Sequence, residues 1–188
     1  MQSLETIIKQ VIEVNEHEMT HFISLWETKQ VEKNDILIKV NAQNNNLFLV
    51  NQGVMAFQNI TLKHRKTTWL AFEGEFATDT FSFFGNQKAR HEMKAITDGE
   101  VMFISKENLE FLYAKNSIWE RWSRLLLEKY LLNIMERTHI LQFMEVRERY
   151  EYITQKRPNI VNEISLGELS SYLNCSQETL SRIRAERF

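Results

Sequence analysis

Apolar residues recur at spacings of three and four along the first thirty positions. Leu4, Ile7, Ile8, Val11 and Ile12 form one set, and Met19, Phe22, Ile23 and Trp26 a second, which predicts helix over 3–29. From Ile36 to Ser105 the period changes. ILIKV, NLFLV, VMAFQNI, TWLAF and EVMFIS are short, apolar, β-branched or aromatic runs, separated by the polar turns NAQNNN, NQG and TDG. Such runs read as strands of an antiparallel barrel or roll. Asp98-Gly99 lies between MKAI and VMFI and predicts a tight hairpin turn with positive φ.

Helical spacing returns after Ser105. A short helix over 106–115 carries Leu109 and Leu112 inward. Ser117-Ile-Trp-Glu120 has capping-box spacing and opens a helix running to about Met144 without Gly or Pro. Leu125, Leu126, Leu127, Tyr130, Leu131, Leu132, Ile134 and Met135 are too many apolar residues for one face, so this helix must be covered on two sides. Leu127, Leu131, Ile134, Thr138 and Leu141 follow the alternating spacing of a coiled-coil seam, which predicts pairing with a second copy. The segment 146–188 is organised separately. A helix spans Arg147 to Gln155, Pro158 marks its end or the loop after it, and Ser165-Leu-Gly-Glu168 offers another capping box before Leu169, Tyr172 and Leu173. Asn174-Cys175-Ser176 reads as a turn, with Asn tolerating a left-handed conformation and Ser176 capping a last helix that buries Leu180 and Ile183.

Composition narrows the classes. The chain has 188 residues, 43% hydrophobic and 26% charged, so it can build a packed core. No run approaches the ~18 apolar residues of a membrane span, and MQSLETIIKQ lacks the pattern of a signal peptide. A single cysteine, Cys175, excludes a disulfide framework, a four-thiolate zinc site and a cysteine-held cluster within one chain, and suits a reducing cytoplasm. Five glycines and one proline speak against a glycine-rich phosphate loop. The net charge of −2 means that any nucleic-acid surface must be local. Residues 116–188 hold eleven Lys and Arg against ten Asp and Glu, a net of +1.

Two short helices joined by a three- or four-residue turn make a helix-turn-helix if they cross closely, for which the small Ser170 is available. The second helix then presents Gln177, Glu178, Ser181, Arg182 and Arg184. Gln can pair with adenine, Glu can accept from cytosine N4, and Arg can bridge guanine O6 and N7. ISLGELSSYLNCSQETLSRIR resembles the DNA-binding segment of the Crp/Fnr transcription regulators, with LSSYL and SQETLSRIR closest to the versions of a Bacteroidetes-like subgroup. NQGVMAF is similar to a glycine hairpin of the family's cyclic-nucleotide-binding-type roll. KAITDGEVMFISKENLEFL looks like its last strands and following helix, and RERYEYI with Pro158 like the link to the DNA-binding domain. The resemblance covers essentially the whole chain.

It implies an α+β architecture. An antiparallel β-roll of double-stranded β-helix or jelly-roll type with flanking helices occupies 1–115, a dimerisation helix 116–145 and a helix-turn-helix domain 146–188. It implies a cytoplasmic homodimer that binds double-stranded DNA and regulates transcription. An unidentified small-molecule effector and RNA polymerase are further partners it admits; no membrane, metal, cofactor or enzyme activity is expected. The family's R-E-x-x-x-R reading pattern falls on Gln177, Glu178 and Arg182, so the first position departs from it. Ser176, Thr179 and Ser181 are expected phosphate contacts through hydroxyls or the helix N-terminus, with Arg184 and Arg187 beyond them. Leu127, Leu131, Ile134 and Leu141 are the expected dimer contacts. The chain ends at Phe188, short of the β wing of many relatives, which leads to an expected shallow salt dependence.

In nucleotide-binding relatives a Gly, a Glu and an Arg grip the phosphate and ribose. Here Thr78 stands at the Gly, Asp79 at the Glu, Ala89 at the Arg and Arg90 one position later, where a shift could bring it back as an anion ligand. Phe81, Phe83 and Phe84 add bulk. Burying a phosphate without a paired guanidinium is costly, so tight cyclic AMP binding is not expected. Thr78, Asp79, Phe81 and Arg90 remain candidates for lining a different, apolar pocket, or for simply completing the roll. His17-Glu18-Met19-Thr20-His21 is a literal zinc-protease motif, two His on one helix face with a Glu between. His64 and His91 are isolated on strand-like segments, so a third ligand is lacking and a solvated helix is the expected reading. Two other functions stay open: a signalling or scaffold module that kept the roll but lost operator binding, favoured by the net of +1, and, more remotely, a metallohydrolase.

Overall fold

A computed structural model describes residues 4–60 and 65–186. In chain order the elements are α1 (Leu4–Lys9), α2 (Glu16–Ser24), β1 (Glu27–Val31), β2 (Ile36–Ile38), β3 (Asn46–Gln52), β4 (Met55–Ile60), β5 (Arg65–Ala71), β6 (Phe76–Ala77), α3 (Thr80–Phe83), β7 (Glu92–Ala95), β8 (Gly99–Ser105), α4 (Lys106–Lys115), α5 (Ser117–Phe143), α6 (Val146–Lys156), α7 (Ile160–Glu163), α8 (Leu166–Tyr172) and α9 (Gln177–Ala185).

The strands form two antiparallel four-stranded sheets, ordered β1-β8-β3-β6 and β2-β7-β4-β5. Their facing sides bury Val50, Met55, Phe57, Met93, Val101 and the small Ala71, Ala77, Ala89 and Ala95 between them. Strand β3 pairs with β8 while β4 pairs with β7, so residues 46–58 and 92–105 make one long ribbon that bends from the first sheet into the second. The bend sits at Gly53 and Gly99. Neither the Asp98-Gly99 turn nor the NQG segment is therefore the hairpin expected from sequence, since in both cases the flanking strands lie in different sheets. Gly53 takes φ +91°. Gly99 has no positive φ and is needed for space: a Cβ there would lie 2.1 Å from the Gln52 carbonyl oxygen.

Helices cover the outer faces. On the first sheet, Leu47, Leu49 and Ile104 meet Ile8, Phe22, Leu109, Leu112, Trp119 and Trp122, with Phe22 stacked on Trp119 at 4.1 Å. On the second, Val54, Ala56, Leu70, Phe72 and Ile96 share one cluster with Tyr150, Ile153, Ile160, Leu169, Leu173, Leu180 and Ile183. Each of β3 and β4 is thus buried on both sides, which is why NLFLV and VMAF read as unbroken apolar runs.

The α+β roll with flanking helices is as expected from sequence, with local corrections. Helix does not fill 3–29. Asn15 caps α2, its side chain accepting from the Glu18 N–H, and Glu27–Val31 is an edge strand paired with β8. That strand, ETKQV, buries only Val31, so it carried no apolar signal. The cap of α5 is Asn116 and not Ser117: the Asn116 side chain accepts from the Ile118 N–H. No described helix is long and apolar enough to cross a membrane.

Gly99→Ala places a methyl group against fixed backbone at the bend. It is expected to lower unfolding stability by about 1–3 kcal/mol in urea titration. A change below about 0.5 kcal/mol would show that the two sheets can separate at this corner without penalty.

Candidate nucleic-acid interface and the filled roll pocket

The last two helices cross closely. Ser165 Oγ accepts from the Glu168 N–H at 3.2 Å to start α8. The chain then turns through Asn174 at φ +57°, with the Cys175 N–H donating to the Ser170 carbonyl at 3.0 Å. Ser176 Oγ accepts from the Thr179 N–H at 3.1 Å and caps α9. Ser170 is buried at the crossing, and Leu169, Leu173, Leu180 and Ile183 anchor the pair. One long side of α9 stays open, with Ser176, Gln177, Glu178, Ser181 and Arg182 exposed and Thr179 and Arg184 half-buried. The seven residues singled out for DNA contact are thus brought together on one helix and its cap.

Their details differ from the simple expectation. The Ser176 and Thr179 hydroxyls lie 3.1 Å apart. The Gln177 amide lies over Gly167, where an added Cβ would approach it to 3.1 Å. The Glu178 carboxyl sits below the ordinary carboxylate range because its own backbone N–H and the Ser176 hydroxyl bond to it. It is turned to the helix start, and the ion pairs among the described residues do not include one between Glu178 and Arg182. Arg187 lies outside the described residues. Burial pushes the Cys175 thiol up, partly offset by Arg149, so the thiolate is disfavoured.

The second capping box forms only by half. Glu168 does not return to the start of its helix. Its carboxylate accepts from Gln58 Nε2 at 3.0 and 3.2 Å and from Thr67 Oγ1 at 2.8 Å, on the roll. The Thr67 N–H donates to Ser171 Oγ at 2.8 Å. Further links run alongside. Arg149 donates to the carbonyls of Leu141, Met144 and Leu173; Arg137 donates to the Tyr172 carbonyl and stacks 3.7 Å over its ring; Arg157 pairs with Glu75. The sequence marked Glu168 only as a capping-box residue and did not mark Gln58, Thr67 or Ser171 as its partners. The available signal was Gln58, a buried polar residue inside the run VMAFQNI.

The predicted ligand-pocket residues form a closed knot. Asp79 is 1% exposed. One carboxylate oxygen accepts from the Ser82 N–H and caps α3; the other accepts from the Arg90 and His91 N–H groups and faces His91 Nδ1 at 3.1 Å. Thr78 Oγ1 donates to the Asn46 carbonyl and accepts from Asn44. Ala89 is buried in the roll interior. The shift that would make Arg90 an anion ligand does not occur: its exposed guanidinium lies 3.9 Å over the Phe81 ring and bonds Gln87. The space left beside Thr78, between the roll and α5, is an apolar crevice of about 40 Å³ lined by Leu47, Phe76, Phe84, Leu126 and Tyr130 among others. Burial, with the nearby Asp79 carboxylate, raises the Tyr130 hydroxyl above its usual range.

On α5, Leu127, Leu131 and Ile134 are 42%, 59% and 37% exposed, and Leu132, Met135 and Phe143 are also open, while Leu141 is half-buried. In the zinc-protease motif His17 and His21 are exposed, and Glu18 accepts from the Trp119 indole N–H at 3.2 Å. His91 stays with Asp79, and His64 lies outside the described residues. No group of three or more potential metal ligands occurs among the described residues.

Asp79→Ala removes a helix cap and leaves buried N–H groups unpaired. It is expected to cost about 2–3 kcal/mol of unfolding free energy, measured by urea titration. A change under about 0.5 kcal/mol would show that Asp79 does not hold this knot together.

Residues 28–116 match the family model for the cyclic nucleotide-binding domain. No curated protein matches the sequence. Among solved structures, FixK2 from Bradyrhizobium japonicum superposes with a TM-score of 0.74 at 15% identity, over 86% of this chain and 83% of that one. The c-di-GMP responsive global regulator CLP of Xanthomonas campestris gives 0.66 at 18% identity, over 92% and 91%. A protein from Eubacterium rectale described as a Crp/Fnr-family transcriptional regulator gives 0.69 at 14% identity, over 90% and 82%. Residues 28–116 therefore resemble a cyclic nucleotide-binding domain, within a fold shared with a protein described as a Crp/Fnr-family regulator.

Proposed function

We propose that this chain is a cytoplasmic, homodimeric, sequence-specific DNA-binding transcription regulator of the Crp/Fnr type. On this reading residues 1–115 are the roll domain, 116–145 the dimerisation helix and 146–188 the helix-turn-helix domain. The observation that carries it is the closely crossed pair α8 and α9, with a left-handed Asn174 in the turn and an open polar face over Gln177, Glu178, Ser181 and Arg182. Among the described residues Arg182 forms no ion pair on that face, and it can reach a guanine edge. Arg184 and the capped start of α9 suit the phosphate backbone. RNA polymerase is a further partner on this reading.

The knot around Asp79 supports a roll that does not take up a cyclic nucleotide. Both carboxylate oxygens accept hydrogen bonds from the chain, the Arg90 guanidinium is exposed, and the crevice beside Thr78 holds about 40 Å³. The exposed Leu127, Leu131 and Ile134 support pairing of α5 with its copy, because apolar residues in a row on a single helix are costly to leave in water. A scaffold module without operator binding is the second reading, favoured by the net of +1 over 116–188.

Selection of bound DNA from a random pool tests the proposal, with enrichment of a palindrome expected. No enrichment at low salt favours the scaffold reading. Arg182→Ala is expected to lose about 1–3 kcal/mol of operator affinity and to relax preference at one base position per half-site. Unchanged affinity and unchanged preference would remove Arg182 from base reading.

Glu placed at Leu131 or Ile134 buries an unpaired charge in the seam and is expected to yield monomer or aggregate in sedimentation. An unchanged dimer with both variants would mean that another face pairs.

A further inference from the structure

We infer that Glu168 is a positioning residue for DNA reading: by gripping Gln58 and Thr67 on the roll it sets where the recognition helix stands relative to the dimer axis, and so sets the spacing of operator half-sites. The inference rests on the regulator reading above and deepens it.

The grip is built from the strands upward. The register of β4 on β5 shifts between Phe57 and Gln58, so that Phe57 faces Trp69 while Gln58 faces Thr67, with Thr68 as the extra residue. A bulge of this kind re-aims the side chains beside it. Here it sets Gln58 opposite Thr67, towards α8 on the outer face of the sheet. Both are 1% exposed. Arg65 Nη1 donates to Gln58 Oε1 at 2.9 Å and to Glu92 Oε1 at 2.7 Å. With its oxygen taken, the Gln58 amide must present its N–H group to α8, where the Glu168 carboxylate receives it together with the Thr67 hydroxyl. Strand β5 is the edge of its sheet, and Ser171 takes the Thr67 N–H there.

Apart from the Arg157–Glu75 ion pair at the far end of α6, the rest of the contact that holds α6–α9 on the roll is apolar, through Val54, Ala56, Leu70, Phe72 and Ile96. Apolar contact is non-directional and tolerates sliding. A carboxylate held by two buried donors does not, because any displacement leaves those donors unpaired. The docking also leaves the reading side of α9 uncovered. The grip therefore orients the reading helix and does not block it. Two such helices in successive major grooves must stand about 34–36 Å apart, a distance that sliding of α8 on the roll would blur.

Thr67→Val keeps the shape and removes the hydroxyl, Thr67→Ser keeps the hydroxyl, and Glu168→Ala removes the carboxylate. DNA selection with wild type is expected to return one half-site spacing. Thr67→Val and Glu168→Ala are expected to return the same half-site at two or more spacings, with affinity for the wild-type operator down about tenfold. Thr67→Ser should restore the single spacing. Hydrogen exchange without DNA supplies an independent readout: the Thr67 amide and those of α8 should exchange at least about tenfold faster in Thr67→Val and Glu168→Ala, with β3 and β8 unchanged. An unaltered spacing in both variants, or equal behaviour of Thr67→Ser and Thr67→Val, overturns the positioning role while leaving the regulator reading intact. No palindrome from wild type overturns the regulator reading and the positioning role with it. Exchange at wild-type rates in both variants overturns the grip itself.

Discussion

The outer face of the sheet β2-β7-β4-β5 carries Val54, Ala56, Leu70, Phe72 and Ile96, and these residues share one buried cluster with side chains of α6–α9. Burying a large aliphatic or aromatic side chain is worth about 1.5–3 kcal/mol, whereas a single neutral hydrogen bond contributes about 0.5–1.5 kcal/mol net. Apolar burial therefore decides that the C-terminal helices sit on the roll. The polar contacts of Glu168, Ser171, Arg149 and Arg157 decide how they sit. Leu169, Leu173, Leu180 and Ile183 serve two purposes at once, since they close the helix pair and complete the cover of the sheet. The small C-terminal segment thereby gains a core larger than its own residues could build.

Inside the roll, the segment 78–91 is held together by its own polar contacts. Ala89 is buried in the roll interior. Asp79 spends its two oxygens on the N–H groups of Ser82, Arg90 and His91, and so becomes a structural cap. A buried carboxylate satisfied in this way is well held. These contacts make the segment 78–91 self-supporting.

Helix α5 joins the two halves through one side and leaves the other open. Trp119 and Trp122 are buried against Phe22 and Phe76, and Ile140 is buried near the far end. Leu131 and Ile134 are exposed, and Leu127, 42% exposed, borders the crevice beside Phe76. An isolated helix pays for such a face in unfavourable hydration, and a second copy of the same face relieves it symmetrically.

Much of this organisation was legible in the residues alone. The change from helical to strand period near Ile36 and back after Ser105, the long helix from 117 to about 143, the left-handed Asn174 and the Ser176 cap all depend on neighbours within about four residues. What depended on distant partners was hidden. Glu27–Val31 is a strand only because β8 offers it a ladder, and its polar residues gave no period. Asp98-Gly99 turns between two sheets because the ribbon 46–58 bends beside it, where Gln52 allows no side chain. Glu168 stands in capping-box position, yet its carboxylate serves residues 101 and 110 positions away. A local rule predicts what a side chain can reach along its own helix. Only the tertiary structure decides which reachable donors are buried, and two buried donors outweigh one exposed backbone N–H, because water can satisfy the second and not the first.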